Sequence, residues 1–153
     1  RYRNEESVRS DGVTQDRLQT WLAMIPARNS LVLLDTCASG SMAIGNKAVM
    51  RGIEEKAAID KLSRAIGRST IAAAMDTQPA LEGYKGHGVF TYVFMDALKN
   101  ADSSNGNKDG MTTIFELGAY IDELVPKVTQ EEFNFAQIPQ MNLQGNFPLG
   151  MIE

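Results

Sequence analysis

Leu31–Ser41, LVLLDTCASGS, opens with four consecutive apolar residues, passes through Asp35 and Thr36 to Cys37, and ends in a small Ala-Ser-Gly-Ser turn. A short apolar run bounded by turn signals predicts a strand buried in a parallel sheet. In open α/β sheets, functional groups collect just past the carboxyl ends of such strands. The thiol therefore stands where a nucleophile would be mounted. Free cysteine is also among the most buried residue types, so a packing role is the competing reading. The sharp turn after Cys37 favours an accessible side chain.

On either side of this strand the pattern alternates. Thr14 resembles an N-cap ahead of QDRLQTWLAMI, where Leu18, Trp21, Leu22 and Ile25 recur at helical spacing, and Pro26 closes the segment. After the strand, Ala38 to Gly52 is small and weakly patterned and reads as a loop. Ile53 to Ile66 predicts a helix with Ala57, Ala58, Leu62 and Ile66 inward, stopped by Gly67. Ser69 to Met75 predicts a second buried strand, followed by the loop DTQPALEGYKGHG. Helices are expected from Val89 to about Lys99 and from Thr113 to Val128, with a last edge strand near Phe147. Strands alternating with helices predict an α/β domain, a mostly parallel sheet flanked by helices. Two clear strands are few for such a sheet, which suggests that strands N-terminal to this chain are missing from it.

The chain has 153 residues, 43% of them apolar and 22% charged, enough for a proper core and too few charges for wholesale disorder. Residues 1–153 therefore read as a large part of one domain. The net charge is −4, and the basic residues are scattered, which argues against nucleic acid as a partner. No apolar run is long enough to span a bilayer, so no membrane role is expected. A single cysteine cannot form an internal disulfide and points to a reducing, cytoplasmic setting. A start at Arg1 suggests trimming, processing or excision from a longer protein.

Spacing excludes several thiol chemistries. A phosphatase loop needs an Arg six residues after the cysteine, where this chain has Ala43. A hydrolase nucleophile elbow needs Gly two before and two after, where Asp35 and Ser39 stand. A redox pair needs a second cysteine at position 40, which is Gly. A thiolate activated by a histidine from elsewhere in the fold survives.

LVLLDTCASGS resembles the nucleophile segment of caspase-like cysteine peptidases, particularly metacaspases and their bacterial relatives, whose usual form is D-[ST]-C-H-S-G. RLQTWLAMIPAR resembles the helix before that strand, TIAAAMDTQPALE the next strand and its substrate-lining loop, GHGVFTYVFMDAL the following helix, and FPLG the closing strand. Ala38 departs from the pattern, where metacaspases usually carry a larger residue. The resemblance implies a caspase-like fold and a Cys–His dyad that hydrolyses peptide bonds, with Cys37 as nucleophile and its backbone amide as one oxyanion donor. It also implies that Asp35 lines the pocket for the P1 side chain, with Asp76 and Gln78 adding to the groove. A carboxylate there attracts Arg or Lys, so cleavage after basic residues of a peptide or protein substrate is expected.

Histidine occurs once, as His87 in Gly86-His87-Gly88, fifty positions after Cys37. The family's dyad histidine precedes its cysteine, so His87 reads as a turn residue ahead of a helix, and the dyad histidine is expected upstream of this chain. The missing N-terminal portion of the domain then becomes a necessary partner, and the fragment alone is expected to be inactive. Lys47, Arg51 and Lys56 lie in a segment where such peptidases often process themselves; an ordinary solvated loop accounts for them equally. Asn105 to Glu116, NGNKDGMTTIFE, approximates a calcium-binding helix-loop-helix pattern. Only Asp109 and Glu116 among its ligand positions are carboxylates, which favours a Gly-rich interhelix turn and no metal or other cofactor. A catalytically silent caspase-fold scaffold or signalling domain is the alternative function.

Overall fold

The computed structural model describes residues 15–35, 64, 67–73, 81 and 83–151. Apart from Arg64, which is helical and exposed, the helix expected at Ile53–Ile66 lies outside the described residues, as do Lys47, Arg51, Lys56, Cys37, Asp76 and Gln78.

The elements run α1 (Gln15–Ala23), β1 (Leu31–Leu34), β2 (Ser69–Ala72), α2 (Val89–Asn105), β3 (Met111–Thr113), α3 (Ile114–Phe133), β4 (Gln140–Asn142) and β5 (Pro148–Met151). The α/β class expected from the alternating pattern is present. The four apolar residues Leu31 to Leu34 form β1, which pairs parallel with β2 in the register Leu31↔Ser69 to Leu34↔Ala72. On its other side β2 pairs antiparallel with β4, so the three-stranded sheet is mixed, with β2 at its centre. The expectation of a mostly parallel sheet is corrected to that extent. Two consecutive helices separate β2 from β4, and the chain enters β4 running against β2.

Every residue of β2 is buried, as a central strand covered on both faces requires. Ile71 and Ala73 point into a cluster with Val89, Phe90, Val93, Ala97 and Ala101 of α2 and Leu117, Tyr120, Ile121 and Val125 of α3. Leu31 and Leu33 of β1 pack against the same cluster. Burial of a side chain such as Ile71 contributes on the order of 1.5–3 kcal/mol.

Both long helices outrun their expected ends. Buried Ala101 and Asp102 carry the inward face of α2 past Lys99, and the helix runs to Asn105. The polar string Asn100-Ala101-Asp102-Ser103-Ser104-Asn105 hides that face from a hydrophobic pattern. Helix α3 continues through Pro126 to Phe133, although proline cannot donate its backbone bond to the preceding turn. Buried Val125 and Thr129 hold it on the core beyond that point, and Thr129 Oγ1 donates to the Val125 carbonyl at 2.8 Å.

The start of α3 is fully partnered. Ile114 N–H donates to the Phe147 carbonyl (3.0 Å), Phe115 N–H to Asn146 Oδ1 (3.2 Å) and Glu116 N–H to Thr113 Oγ1 (3.4 Å). With Thr113 N–H, which donates to Glu116 Oε2 (2.8 Å), these are the four donors that a helix leaves open. The strand expected near Phe147 is β5, but it pairs antiparallel with β3 in a separate two-stranded sheet. The main sheet instead gains β4, whose three half-buried residues, Gln-Met-Asn, carry no strand signal of their own.

Helix α1 corrects one more expectation. Leu18 and Leu22 are half-buried, whereas Trp21 is 47% and Ile25 49% exposed. The helix ends at Ala23, so Ile25 falls in the following turn and off the helical stripe. That turn is tied to β2 by Arg68, which is buried and donates to Ser30 Oγ (2.7 Å) and to the Ile25 carbonyl (2.6 Å). Among the described residues no helix is long and apolar enough to cross a membrane.

Replacing Arg68 by Met keeps the aliphatic stem and leaves both acceptors unpaired. Arg68→Met is expected to lower unfolding free energy by about 2 kcal/mol, read by chemical denaturation. A change below about 0.5 kcal/mol, the range of an ordinary surface substitution, contradicts the anchoring role.

Candidate active-site region

Parallel pairing brings the carboxyl ends of β1 and β2 side by side. Ala73 N–H donates to the Leu34 carbonyl at 2.9 Å, one residue past β2, so the two chains leave the sheet together. Asp35 leaves from β1 and is exposed. Cys37 lies two positions further along that chain, and Asp76 and Gln78 lie three and five positions beyond Ala73. Of the four site residues expected from sequence, the structure describes Asp35 alone.

Asp35 Oδ2 accepts a hydrogen bond from Thr91 Oγ1, in the first turn of α2. Sequence reading missed Thr91: a threonine on a helix carries no pattern that marks a partner fifty-six positions away. The end of β2 has its own clamp. Gln137 is fully buried; its Nε2 donates to the Ala73 carbonyl (2.7 Å), and its Oε1 accepts from Leu81 N–H (3.1 Å). Its own N–H donates to Thr129 Oγ1 at 2.9 Å. One amide thus ties both ends of the segment between Ala73 and Leu81 to the turn after α3. A glutamine in the unpatterned stretch Phe135-Ala-Gln-Ile-Pro gives no sequence signal for that role.

His87 stands in a tight turn ahead of α2. Its N–H donates to the Tyr84 carbonyl (2.9 Å), Gly86 before it has φ +85°, and Gly88 after it is the N-cap. The imidazole is exposed and borders a shallow cleft of about 290 Å³ with Lys85, Tyr92, Met95, Asp96 and Lys99. Tyr92, Met95, Asp96 and Lys99 form one stripe of α2 at spacings of three and four, and Thr91, four positions before Met95, stands at its edge without lining the cleft. Lys85 Nζ donates to Tyr92 Oη (3.1 Å) and lies over the Tyr84 and Tyr92 rings, at 5.1 and 4.8 Å from their centroids. The hydrogen bond to Tyr92 is the main reason that its ammonium is held above the ordinary lysine value. Asp96 accepts from Tyr120 Oη and from Asn100 Nδ2 (3.0 Å). Burial, with that hydrogen bond, pushes the Tyr120 hydroxyl up to about 12, so it remains a neutral donor across physiological pH.

The residues matching a calcium loop are occupied with the turn itself. Asn105 is the last residue of α2, and its Nδ2 donates to Glu123 Oε2 at 2.6 Å. Glu116 accepts from Thr113 N–H (2.8 Å) and Thr113 Oγ1 (2.8 Å) through Oε2, and from Asn107 N–H (3.0 Å) through Oε1. With Thr113 it forms a capping box at the start of α3. Asp102 is buried and accepts from Asp109 N–H (3.2 Å) and Gly110 N–H (3.0 Å). Gly110 has φ +84°, a conformation suited to glycine. These contacts account for the segment as an interhelix turn. Among the described residues no group of three His, Cys, Asp or Glu side chains is placed to hold a metal ion.

Comparison with protein-family models, with curated proteins and with solved structures found no match.

Burial is the largest influence on the Glu116 carboxyl and raises it. The N–H groups of Thr113 and Asn107 and the Thr113 hydroxyl outweigh burial and hold the carboxyl below its ordinary value of 4.5. A depressed carboxylate stabilises the fold fully above its unfolded value and loses that contribution as pH falls through the folded one. The stability gap between the natural protein and Glu116→Gln is therefore expected to hold constant from pH 7 to about 5 and to shrink below about 4.5, in denaturant titrations. A gap that persists unchanged to pH 3 contradicts the capping role of the carboxylate.

Proposed function

We propose that this chain carries the nucleophile of a caspase-like cysteine endopeptidase that cleaves peptide bonds after Arg or Lys. The observation that supports it most is the position of Asp35. It is an exposed carboxylate at the shared carboxyl end of the parallel pair β1–β2, two positions ahead of Cys37. Open α/β sheets mount their reactive groups at such an edge.

In this reading the dyad imidazole takes the Cys37 thiol proton, Sγ attacks the carbonyl carbon of the scissile bond, and the Cys37 backbone amide is one donor to the oxyanion that forms. The C–N bond breaks, and the departing amine takes a proton from the dyad imidazole. Water then cleaves the thioester and returns the thiol. Asp35 holds the basic side chain of the residue ahead of the bond, with Asp76 and Gln78 as further groove residues. No metal or other cofactor is required by these steps.

The dyad imidazole is assigned to the N-terminal portion of the same domain, outside this chain. Two observations favour that assignment over His87. Neither Asp35 nor Thr91 is among the residues that line the His87 cleft. In addition, β1 pairs on one side only among the described residues, and its four apolar side chains are each only half-buried. A further strand from the N-terminal portion would cover them.

The test is a P1 panel of fluorogenic peptides on the complete protein. Arg and Lys substrates are expected to be cleaved at least about 100-fold faster than Asp substrates, and Asp35→Asn to lower kcat/KM for Arg by about 10- to 100-fold. His87→Ala is expected to retain activity. A preference for Asp at P1 sinks the specificity, and a folded but inactive His87→Ala returns the dyad role to this chain.

A further inference from the structure

A carboxylate that recognises a cation must be held in one orientation, because ordering it at the moment of binding subtracts from affinity. Asp35 stands on an exposed strand end, where its carboxylate would otherwise turn freely. Its one partner among the described residues is the Thr91 hydroxyl. We infer that Thr91 is the positioning residue that orients Asp35 for a basic P1 side chain, an assignment that rests on the endopeptidase reading above.

The bond is not the one a helical threonine ordinarily makes. A threonine hydroxyl in a helix tends to return to the carbonyl three or four residues back, here Gly88 or His87. The proton of Thr91 goes outward to Asp35. The side chain that delivers it is β-branched and therefore stiff about its first torsion. Its backbone is equally fixed: Val89, Phe90 and Val93 around it are buried in the core, and Val89 N–H donates to the Leu81 carbonyl at 2.9 Å. On the other side, the Leu34 carbonyl immediately before Asp35 is bonded by Ala73 N–H. Donor and acceptor thus both sit on rigid elements, as a site with defined geometry requires.

The chemistry of the donor matters as much as its place. A lysine or arginine at position 91 would orient Asp35 and also cancel its charge. A hydroxyl orients one oxygen, Oδ2, and leaves the full negative charge for a substrate cation, with Oδ1 as an acceptor.

The experiment compares Thr91→Val and Thr91→Ser in the complete protein, using paired peptides with Arg or citrulline at P1. Citrulline keeps the shape and removes the charge. Thr91→Val is expected to reduce the Arg-over-citrulline ratio of kcat/KM roughly tenfold, mainly through KM, with kcat for Arg within about twofold. Thr91→Ser is expected to restore most of the ratio. A valine variant that lowers both substrates equally, or one with an unchanged ratio, overturns the assignment while leaving the endopeptidase reading in place. Binding of an Arg-terminated peptide to Cys37→Ala, measured by calorimetry, separates the two ideas. If the natural protein cleaves neither substrate and Cys37→Ala binds no such peptide, the endopeptidase reading falls and Thr91 falls with it.

Discussion

The burial of β2 on both faces and both edges is the constraint on which the described structure depends. Ser69 to Ala72 keep almost no contact with solvent, so their backbone groups must be satisfied by neighbouring strands. β1 supplies one ladder and β4 the other. The inward side chains of this strand then require an apolar cover, which the long helices α2 and α3 provide together. Gly118 of α3 shows how close that cover lies: a methyl group there would meet Leu143 just past β4 at 2.9 Å.

Polar side chains, rather than further apolar contacts, fix the ends of the strands. At the amino end Arg68 holds the turn between α1 and β1, and Ser69 Oγ accepts from Gln144 N–H at 2.8 Å. At the carboxyl end Gln137 and Thr91 reach Ala73 and Asp35. All these bonds join residues far apart in sequence, so they form only once the sheet and helices are assembled. That division suits a reactive edge. A hydrophobic core sets where the strands end, and single hydrogen bonds set where the groups beyond them point.

Much of this architecture was legible from sequence. LVLL announced β1, STIA announced β2, and the spacing of Leu117, Ile121 and Leu124 announced α3, because each element presents a long or unbroken apolar face to one core. The boundaries were harder. α2 runs past Lys99 on one buried alanine, Ala101, hidden among polar residues, and α3 runs through Pro126 because tertiary packing outweighs the lost bond. β4 was illegible, since Gln-Met-Asn owes its strand form to the partner it meets. The site divides the same way. The strand-end position of Asp35 was legible from the apolar run before it, whereas Thr91 and Gln137 act through long-range hydrogen bonds that no local pattern records. The Asn105–Glu116 pattern shows the converse, where a ligand-like spacing serves a capping box and a tight turn.

Asp35 stands two positions ahead of Cys37 in the chain, and the central proposal is that Cys37 is a reactive thiol in a groove selective for basic side chains. The most direct measurement is covalent labelling of the complete protein by a peptidyl electrophile with Arg at P1, read by mass spectrometry of the modified peptide. The account predicts stoichiometric modification at Cys37, abolished by Cys37→Ala and much slower with an Asp-P1 electrophile of the same warhead. No modification at Cys37, with the protein folded and the electrophile intact, contradicts it and favours a silent scaffold of the same fold class.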